Sequence, residues 1–529
     1  MEVKTLDFKN KRILMVCQEG YSYPFYFMSK KWKKDNKLGA FFYGPAECIY
    51  KKCYFNRYSY YKFLELNDIE LYDSKKISKY YSTIIDMDKI IDNKYLEEIE
   101  ENYTHFLGIN EQILSSQLFS RVYHWRNYYE YVSYSQQLNW LILNYKNIIE
   151  IIDEFRPDMV LDDGQSELAR TVLLEVCWKK KIPYICFEHT RFDSYQIPNF
   201  SLGHTVDSYF LEAFNKNLNN EKELEDYCQI VRDWRNNGTI MTVENLRFFK
   251  NESILKSLKS LYGHALYYFD EDIKADNRKI KKTNSIIYPD SIELMKYFTR
   301  IEYWKHRLSK RNKYFMIPQS KDIYVYMPLH LIPESTTFTK ATQYINELTT
   351  IEAVSKALPA GWWLYVKEHH AMIGERGREF YDRVNKLPNV KMVQYNYYND
   401  PKPWIINSKG VITISGTTAY EAAMLNIPSI VFADVPFQLI DGVYRLHSYE
   451  ELRNTFFLFR KKYDNINSCA AYIKAAEEYG ENIDITFLYE QGEKIHNHKI
   501  NMNEEYKEQL RRFENLFLKG YSLYLNENI

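Results

Sequence analysis

Tyr324-Val325-Tyr326-Met327-Pro328-Leu329-His330 opens the stretch that decides the fold. It continues through Pro333-Glu334-Ser335-Thr336-Thr337, Val366-Lys367-Glu368-His369-His370 and Ser415-Gly416-Thr417-Thr418-Ala419-Tyr420-Glu421-Ala422, and closes at Asp434. The polar groups recur where apolar runs end, and strand ends are where open α/β sheets bind phosphorylated ligands. The stretch reads as a nucleotide-binding half.

Within it the spacing predicts strands at 323–327, 362–367, 390–394, 411–414 and 429–432. Helices are expected near 341–358, 375–386 and 418–425, with a short one through Trp404. In the first of these, Tyr344, Leu348, Ile351, Val354 and Leu358 recur at helical spacing. Such alternation predicts a five-stranded parallel sheet wrapped by helices.

Upstream, Ile13-Leu14-Met15-Val16-Cys17 is a near-continuous apolar run, as in a parallel strand buried on both faces, and it breaks at Gln18-Glu19-Gly20. A second strand is expected over 38–43, and the Tyr- and Lys-rich text from 50 to 135 reads as mostly helical. A helix over 136–155, stopped by Arg156-Pro157, precedes a strand at 158–161 and the turn Asp162-Asp163-Gly164. A helix over 166–181 and a strand at 184–187 follow, ending in Glu188-His189-Thr190-Arg191, which makes a βαβ unit.

The fold class is therefore α/β, with two Rossmann-like doubly wound domains. Expected boundaries are 1–215 for the first domain, 216–320 for a polar helical insertion and 321–500 for the second domain. Residues 501–529 form a helix with Tyr506, Leu510, Phe513 and Phe517 on one stripe; it is expected to stop at Gly520 and pack back across the domains.

Lys plus Arg equals Asp plus Glu at 70 each, so no global field favours nucleic acid. The abundance of Tyr (49) and Phe (30) accompanies many Lys, Asn and Ile residues and reads as compositional bias rather than a base-stacking platform. Seven scattered cysteines, with no CxxC pair, fit a reducing compartment. With no apolar run near the ~20 residues of a membrane span and no signal peptide, a cytoplasmic location is expected. The basic cluster Trp304-Lys305-His306-Arg307 and Lys310-Arg311-Asn312-Lys313 reads as a solvated helix face, or as a place for peripheral contact with the inner membrane surface, an anionic acceptor or assembly machinery.

Ser415, Gly416, Thr417 and Thr418 lie between a strand and a helix, where amides and hydroxyls converge on an anion. The plainer alternative is a Thr418–Glu421 capping box. Glu421 is placed to accept from ribose hydroxyls. Lys367 and His369 can neutralise a diphosphate, and His330 and Glu334 share the loop after the second domain's first strand. Asp162 or Asp163 can act as a general base, though Asp-Asp-Gly is also ordinary turn chemistry. Gln18, Glu19, Glu188 and Arg191, at first-domain strand ends, are candidates for the acceptor side. No carboxylate pair requires a metal.

The order of Pro-Leu-His through Pro-Glu-Ser-Thr-Thr (328–337), Leu358-Pro359-Ala360-Gly361-Trp362, Tyr365-Val366-Lys367-Glu368-His369, Pro388-Asn389-Val390, and Ile412 to Phe432 with Gly416-Thr417-Thr418 and Glu421-Ala422 resembles the bacterial capsular polysaccharide biosynthesis protein family over roughly 320–450. That family includes glycosyltransferases related to those that move Kdo from CMP-Kdo. The resemblance implies a GT-B-like fold whose domains face across a cleft, and a nucleotide-sugar donor site around His330, Lys367, His369, Thr417, Thr418 and Glu421. It also implies an oligosaccharide or lipid-linked acceptor against the first domain, with no cofactor required beyond the donor. The Asp-Asp-Gly turn is similar to the acidic motif whose Asp is the base in GT-B sialyltransferases. The chain departs from the family at His370, where a proline is usual. A sugar-nucleotide epimerase or hydrolase and a non-catalytic polysaccharide-binding protein are the alternative functions.

Overall fold

The computed structural model describes residues 8–18, 22–42, 66, 68–73, 92–115, 134–164, 167–203, 209–237, 254–268, 291–309, 314–332, 334–394, 398 and 401–527. Much of the 50–135 text, and Glu19 with it, lies outside them.

Strands β1 (Arg12–Cys17), β2 (Lys37–Phe42), β3 (Ile69–Asp73), β4 (Met159–Leu161), β5 (Tyr184–His189) and β6 (Tyr195–Asn199) form the first sheet, in the order β6-β5-β4-β1-β2-β3. Strands β7 (Ile323–Pro328), β8 (Trp362–Lys367), β9 (Val390–Val393), β10 (Val411–Ile412), β11 (Ser429–Val431) and β12 (Val443–Arg445) form the second, in the order β12-β11-β10-β7-β8-β9. The second sheet is parallel throughout, and β1 to β5 are parallel in the first. The α/β class with two Rossmann-like domains is the observed architecture.

Alternate side chains explain why both sheets are covered on both faces. Ile13, Met15 and Cys17 enter one apolar cluster while Leu14 and Val16 enter another. In β7, Val325 and Met327 pack to one side and Tyr324 and Tyr326 to the other. Hydrogen-bonded parallel strands with both faces buried leave their carboxyl ends as the places open to ligand.

Each sheet has one point where the chain order reverses. It falls between β1 and β4 in the first and between β7 and β10 in the second. Such switch points open a crevice at the carboxyl ends of the two strands. Gln18 and Asp162-Asp163 follow β1 and β4, while His330 and Ser415-Gly416 follow β7 and β10.

Several elements differ from the sequence expectation. The second sheet gains β12, three residues too short to carry a periodic signal. β5 and β6 form an antiparallel hairpin, and β13 (Glu481–Asn482) leaves the second domain to pair antiparallel with β6. The last helix runs through Gly520, from Glu504 to Glu527, instead of stopping there. A Cβ at Gly520 would lie 2.7 Å from Ile185 Cγ2, so this glycine permits close approach to the first sheet. Tyr506, Phe513 and Phe517 are fully buried beneath that helix, with Phe513 and Phe517 against Phe25 and Phe187. No helix among the described residues is long and apolar enough to cross a membrane.

Candidate functional site

A cavity of about 360 Å³ occupies the second domain's switch point. Its walls include His330, Glu334, Lys367, His369, Ser415, Gly416, Thr417, Thr418 and Glu421, so the residues singled out at three separate strand ends meet in one place. Arg191 joins them from the first domain. Asp162, Asp163, Gln18 and Glu188 are not among the lining residues.

His330 is built into the wall by both ring nitrogens. Its Nδ1 lies 3.0 Å from Glu347 Oε1, and Glu347 also accepts the His330 backbone N–H at 2.6 Å. On the other side Nε2 receives the Ser415 N–H at 3.4 Å and lies 2.9 Å from Thr413 Oγ1. Because a backbone N–H can only donate, Nε2 accepts and the proton sits on Nδ1, facing the carboxylate. Thr413 Oγ1 in turn accepts the Gly416 N–H at 3.1 Å. His330 therefore fixes the turn after β10 from behind.

Beneath the cavity lies a buried charge network that sequence reading missed. Arg376 donates to Glu347 at 2.5 Å, to both Glu368 oxygens at 3.1 and 3.2 Å, and to the His330 carbonyl at 3.0 Å. Tyr381 donates to Glu368 at 2.8 Å. Burial pushes the Glu347 carboxyl up, but Arg376 and His330 overcome that and hold it below the usual carboxylate range. Glu347 could have been noticed as a carboxylate on the same helix face as Ile351. Arg376 carries no local signal, since its partners are distant in sequence. Glu368, between Lys367 and His369 in sequence, anchors the site through Arg376 and Tyr381.

Lys367 ends β8, and desolvation lowers its ammonium to about 8, against the opposing pull of Glu368 and Glu421. His369 is lowered to about 3, first by desolvation and then by His370 and Lys367. Its Nδ1 accepts the Ala371 N–H at 3.2 Å, so the neutral ring carries its proton on Nε2. The His369 backbone, at φ −73° and ψ 132°, already has the extended conformation that a following proline enforces. The extended backbone at His369 is thus reached with His370 in place of a proline. Burial raises the Glu334 carboxyl, and His330 and Arg191 partly offset it.

The capping-box alternative for Thr418 and Glu421 is not the observed geometry. The cap of helix Thr418–Met424 is Thr417, with no side-chain capping bond. Ser415 Oγ lies 3.0 Å from Thr337 Oγ1.

The first domain's switch point carries a separate cluster. Asp162 is fully buried, bonded to Tyr184 at 2.5 Å and to Arg170 at 3.0 Å. Burial raises its carboxyl well above the usual range, against the pull of Arg170. Asp163 also pairs with Arg170, and its other oxygen lies 3.5 Å from the Tyr489 hydroxyl. Glu188 is ion-paired with Lys340 of the second domain, which makes it an interdomain tie rather than an open acceptor contact. No group of three or more metal-ligating side chains occurs among the described residues.

No protein-family model matches this chain. No curated protein matches it by sequence. Among solved structures, the beta Kdo 2,4 transferase KpsC of Thermosulfurimonas dismutans is 14% identical and covers 64% of this chain and 86% of its own, at a TM-score of 0.29. The beta Kdo 2,7 transferase KpsC of the same organism is 8% identical over 67% of this chain and 90% of its own, at 0.31. UDP-GlcNAc 2-epimerase from Neisseria meningitidis, bound to UDP-GlcNAc, is 13% identical over 88% and 98%, at 0.22.

Proposed function

We propose that this chain is a glycosyltransferase of surface (capsular) polysaccharide biosynthesis, transferring a sugar from a nucleotide-sugar donor to a carbohydrate acceptor. The observation that carries the reading is the cavity at the second domain's switch point. There a cation (Lys367), a neutral imidazole donor (His369), a turn of amides and hydroxyls (Ser415 to Thr418) and a carboxylate (Glu421) converge. This set suits a phosphate with an adjoining diol: Lys367 and His369 stabilise the departing phosphate, and Glu421 accepts from ribose. The motif order resembling the capsular polysaccharide family supports the same assignment.

Asp163 is the better of the two first-domain aspartates for the base. Asp162 is fully buried and held by Tyr184 and Arg170, while Asp163 is the more accessible of the pair. Thermal shift with CMP, UDP, GDP and ADP identifies the nucleotide, and transfer is then assayed with the matching donor. Asp163→Asn is expected to keep nucleotide affinity and lower transfer by about a hundredfold or more. Unchanged transfer in both Asp163→Asn and Asp162→Asn removes the base assignment.

A second reading is a sugar-nucleotide epimerase or hydrolase. It is favoured by one observation: neither aspartate lines the cavity, whereas Glu334 and Glu421 do. Conversion or release of the sugar without acceptor, seen by product analysis, decides for it.

A further inference from the structure

Among the described residues that line the cavity, all but one come from the second domain, and the exception is Arg191. It sits at the tip of the β5–β6 hairpin in a left-handed backbone conformation, φ 72°. That conformation is unfavourable for a non-glycine residue, and it persists only where surrounding contacts impose it.

Those contacts are on both sides of the residue. Arg191 N–H donates to His189 Nδ1 at 2.8 Å, and Thr190 N–H to the Tyr195 carbonyl at 3.0 Å. Across the domain seam, the Tyr472 hydroxyl donates to the Thr190 carbonyl at 2.6 Å, and Glu188 is ion-paired with Lys340. The hairpin tip is thus fastened to the second domain with one guanidinium presented at the cavity.

That guanidinium makes no hydrogen bond or ion pair among the described residues, and its Nε is buried without an acceptor. A buried donor in this state is destabilising, and a charged one more so, unless something accepts from it. Glu334 lies close enough for Arg191 to stabilise its ionised form without pairing with it. Elsewhere in the cavity, the Glu421 carboxylate favours the charged form of Lys367. Two cation–carboxylate couples therefore share one cavity, each with a cation for an oxyanion and a carboxylate for hydroxyls.

We propose that Arg191 is the first domain's ligand for a second oxyanion, a phosphate or a carboxylate, of the molecule seated in the second-domain cavity, with Glu334 completing that subsite. The proposal rests on the donor reading only for the occupant's identity. Its consequence is that a ligand with two anionic groups binds both domains, whereas one with a single anionic group engages only the second.

The test is calorimetric titration of the full chain with UMP, UDP, CMP, CDP, inorganic pyrophosphate and phosphoglycolate. Wild type is compared with Arg191→Gln, Arg191→Lys and Lys367→Gln, and thermal melts confirm that each variant is folded. Arg191→Gln is expected to weaken two-anion ligands by about tenfold or more, while monophosphates change by no more than about twofold. Arg191→Lys recovers part of the loss, and Lys367→Gln weakens both classes. A loss with pyrophosphate alone identifies the second group as phosphate, and a loss with phosphoglycolate alone as carboxylate. Equal affinity of wild type and Arg191→Gln for every two-anion probe overturns the proposal, as does failure of wild type to bind any of them. Arg191-dependent binding of pyrophosphate or phosphoglycolate without any nucleotide binding leaves the subsite standing and removes the donor reading.

Discussion

Lys367 shows how a single side chain makes a site pH-sensitive. Its ammonium is lowered to about 8 by desolvation, so the cation is fully present below about pH 7 and is lost as pH rises through 8. A ligand needing that charge should bind about tenfold more weakly at pH 9 than at pH 7, a loss that an exposed lysine would show only about two and a half pH units higher. Calorimetry near pH 8 in two buffers of different ionisation enthalpy should show proton uptake on binding. Lys367→Arg should flatten the profile, because a guanidinium does not titrate in this range. At Gly416, a Cβ would lie 2.5 Å from Thr413 Oγ1 and 3.3 Å from His330 Nε2. Gly416→Ala should therefore displace the Thr413–His330 contact, cost about 1–3 kcal/mol and weaken nucleotide binding. Gly377→Ala, with nothing within 4 Å of the added carbon, is the control, and equal melting of the two variants would refute the crowding argument.

The last helix illustrates why glycine is an ambiguous signal at the scale of elements. In sequence, Gly520 after an apolar stripe reads as a helix stop; in the fold it is an interior residue pressed against Ile185 and Pro198. Alanine is the better helix former by about 1 kcal/mol, so local propensity alone predicts that Gly520→Ala stabilises. The contact predicts the reverse, a net loss of about 1–2 kcal/mol and a lower melting temperature, because overpacking outweighs the propensity gain. The hairpin of β5 and β6 was likewise hidden, since Arg191 and Asp193 take positive φ without a glycine to announce the turn. By contrast β1, β7 and β8 were legible, because strands buried on both faces must be apolar along their whole length.

Across the whole molecule, one apolar cluster runs from β1 of the first domain to β7 of the second, and the C-terminal segment belongs to it. After helix Ile466–Tyr479 the chain returns to the first sheet as β13 and then covers it with the last helix. Ending the chain at residue 500 should expose Phe25 and Phe187, whose aromatic partners Phe513 and Phe517 are then lost. Exposure of several aromatic side chains, at about 1.5–3 kcal/mol each, is comparable with the stability of a typical domain, about 5–15 kcal/mol. The truncated protein is expected to be insoluble or to bind ANS strongly, and a soluble, cooperatively melting product would show that the helix is dispensable.

The sequence by itself determined the α/β class, the second domain's five principal strands, and the polar residues at their ends. These follow from short-range rules: periodicity marks the strands, and parallel strands present their following residues at one edge. Tertiary structure alone decided which of those residues share a cavity and in what state. It spent both nitrogens of His330 on Glu347 and the turn after β10, turned Glu368 inward to Arg376, and tied Glu188 to Lys340. It also brought Arg191 across the seam into the cavity. Burial and partnership are properties of chain segments that meet far apart in sequence, and the burial that lowers Lys367 and His369 exists only once the sheets are packed.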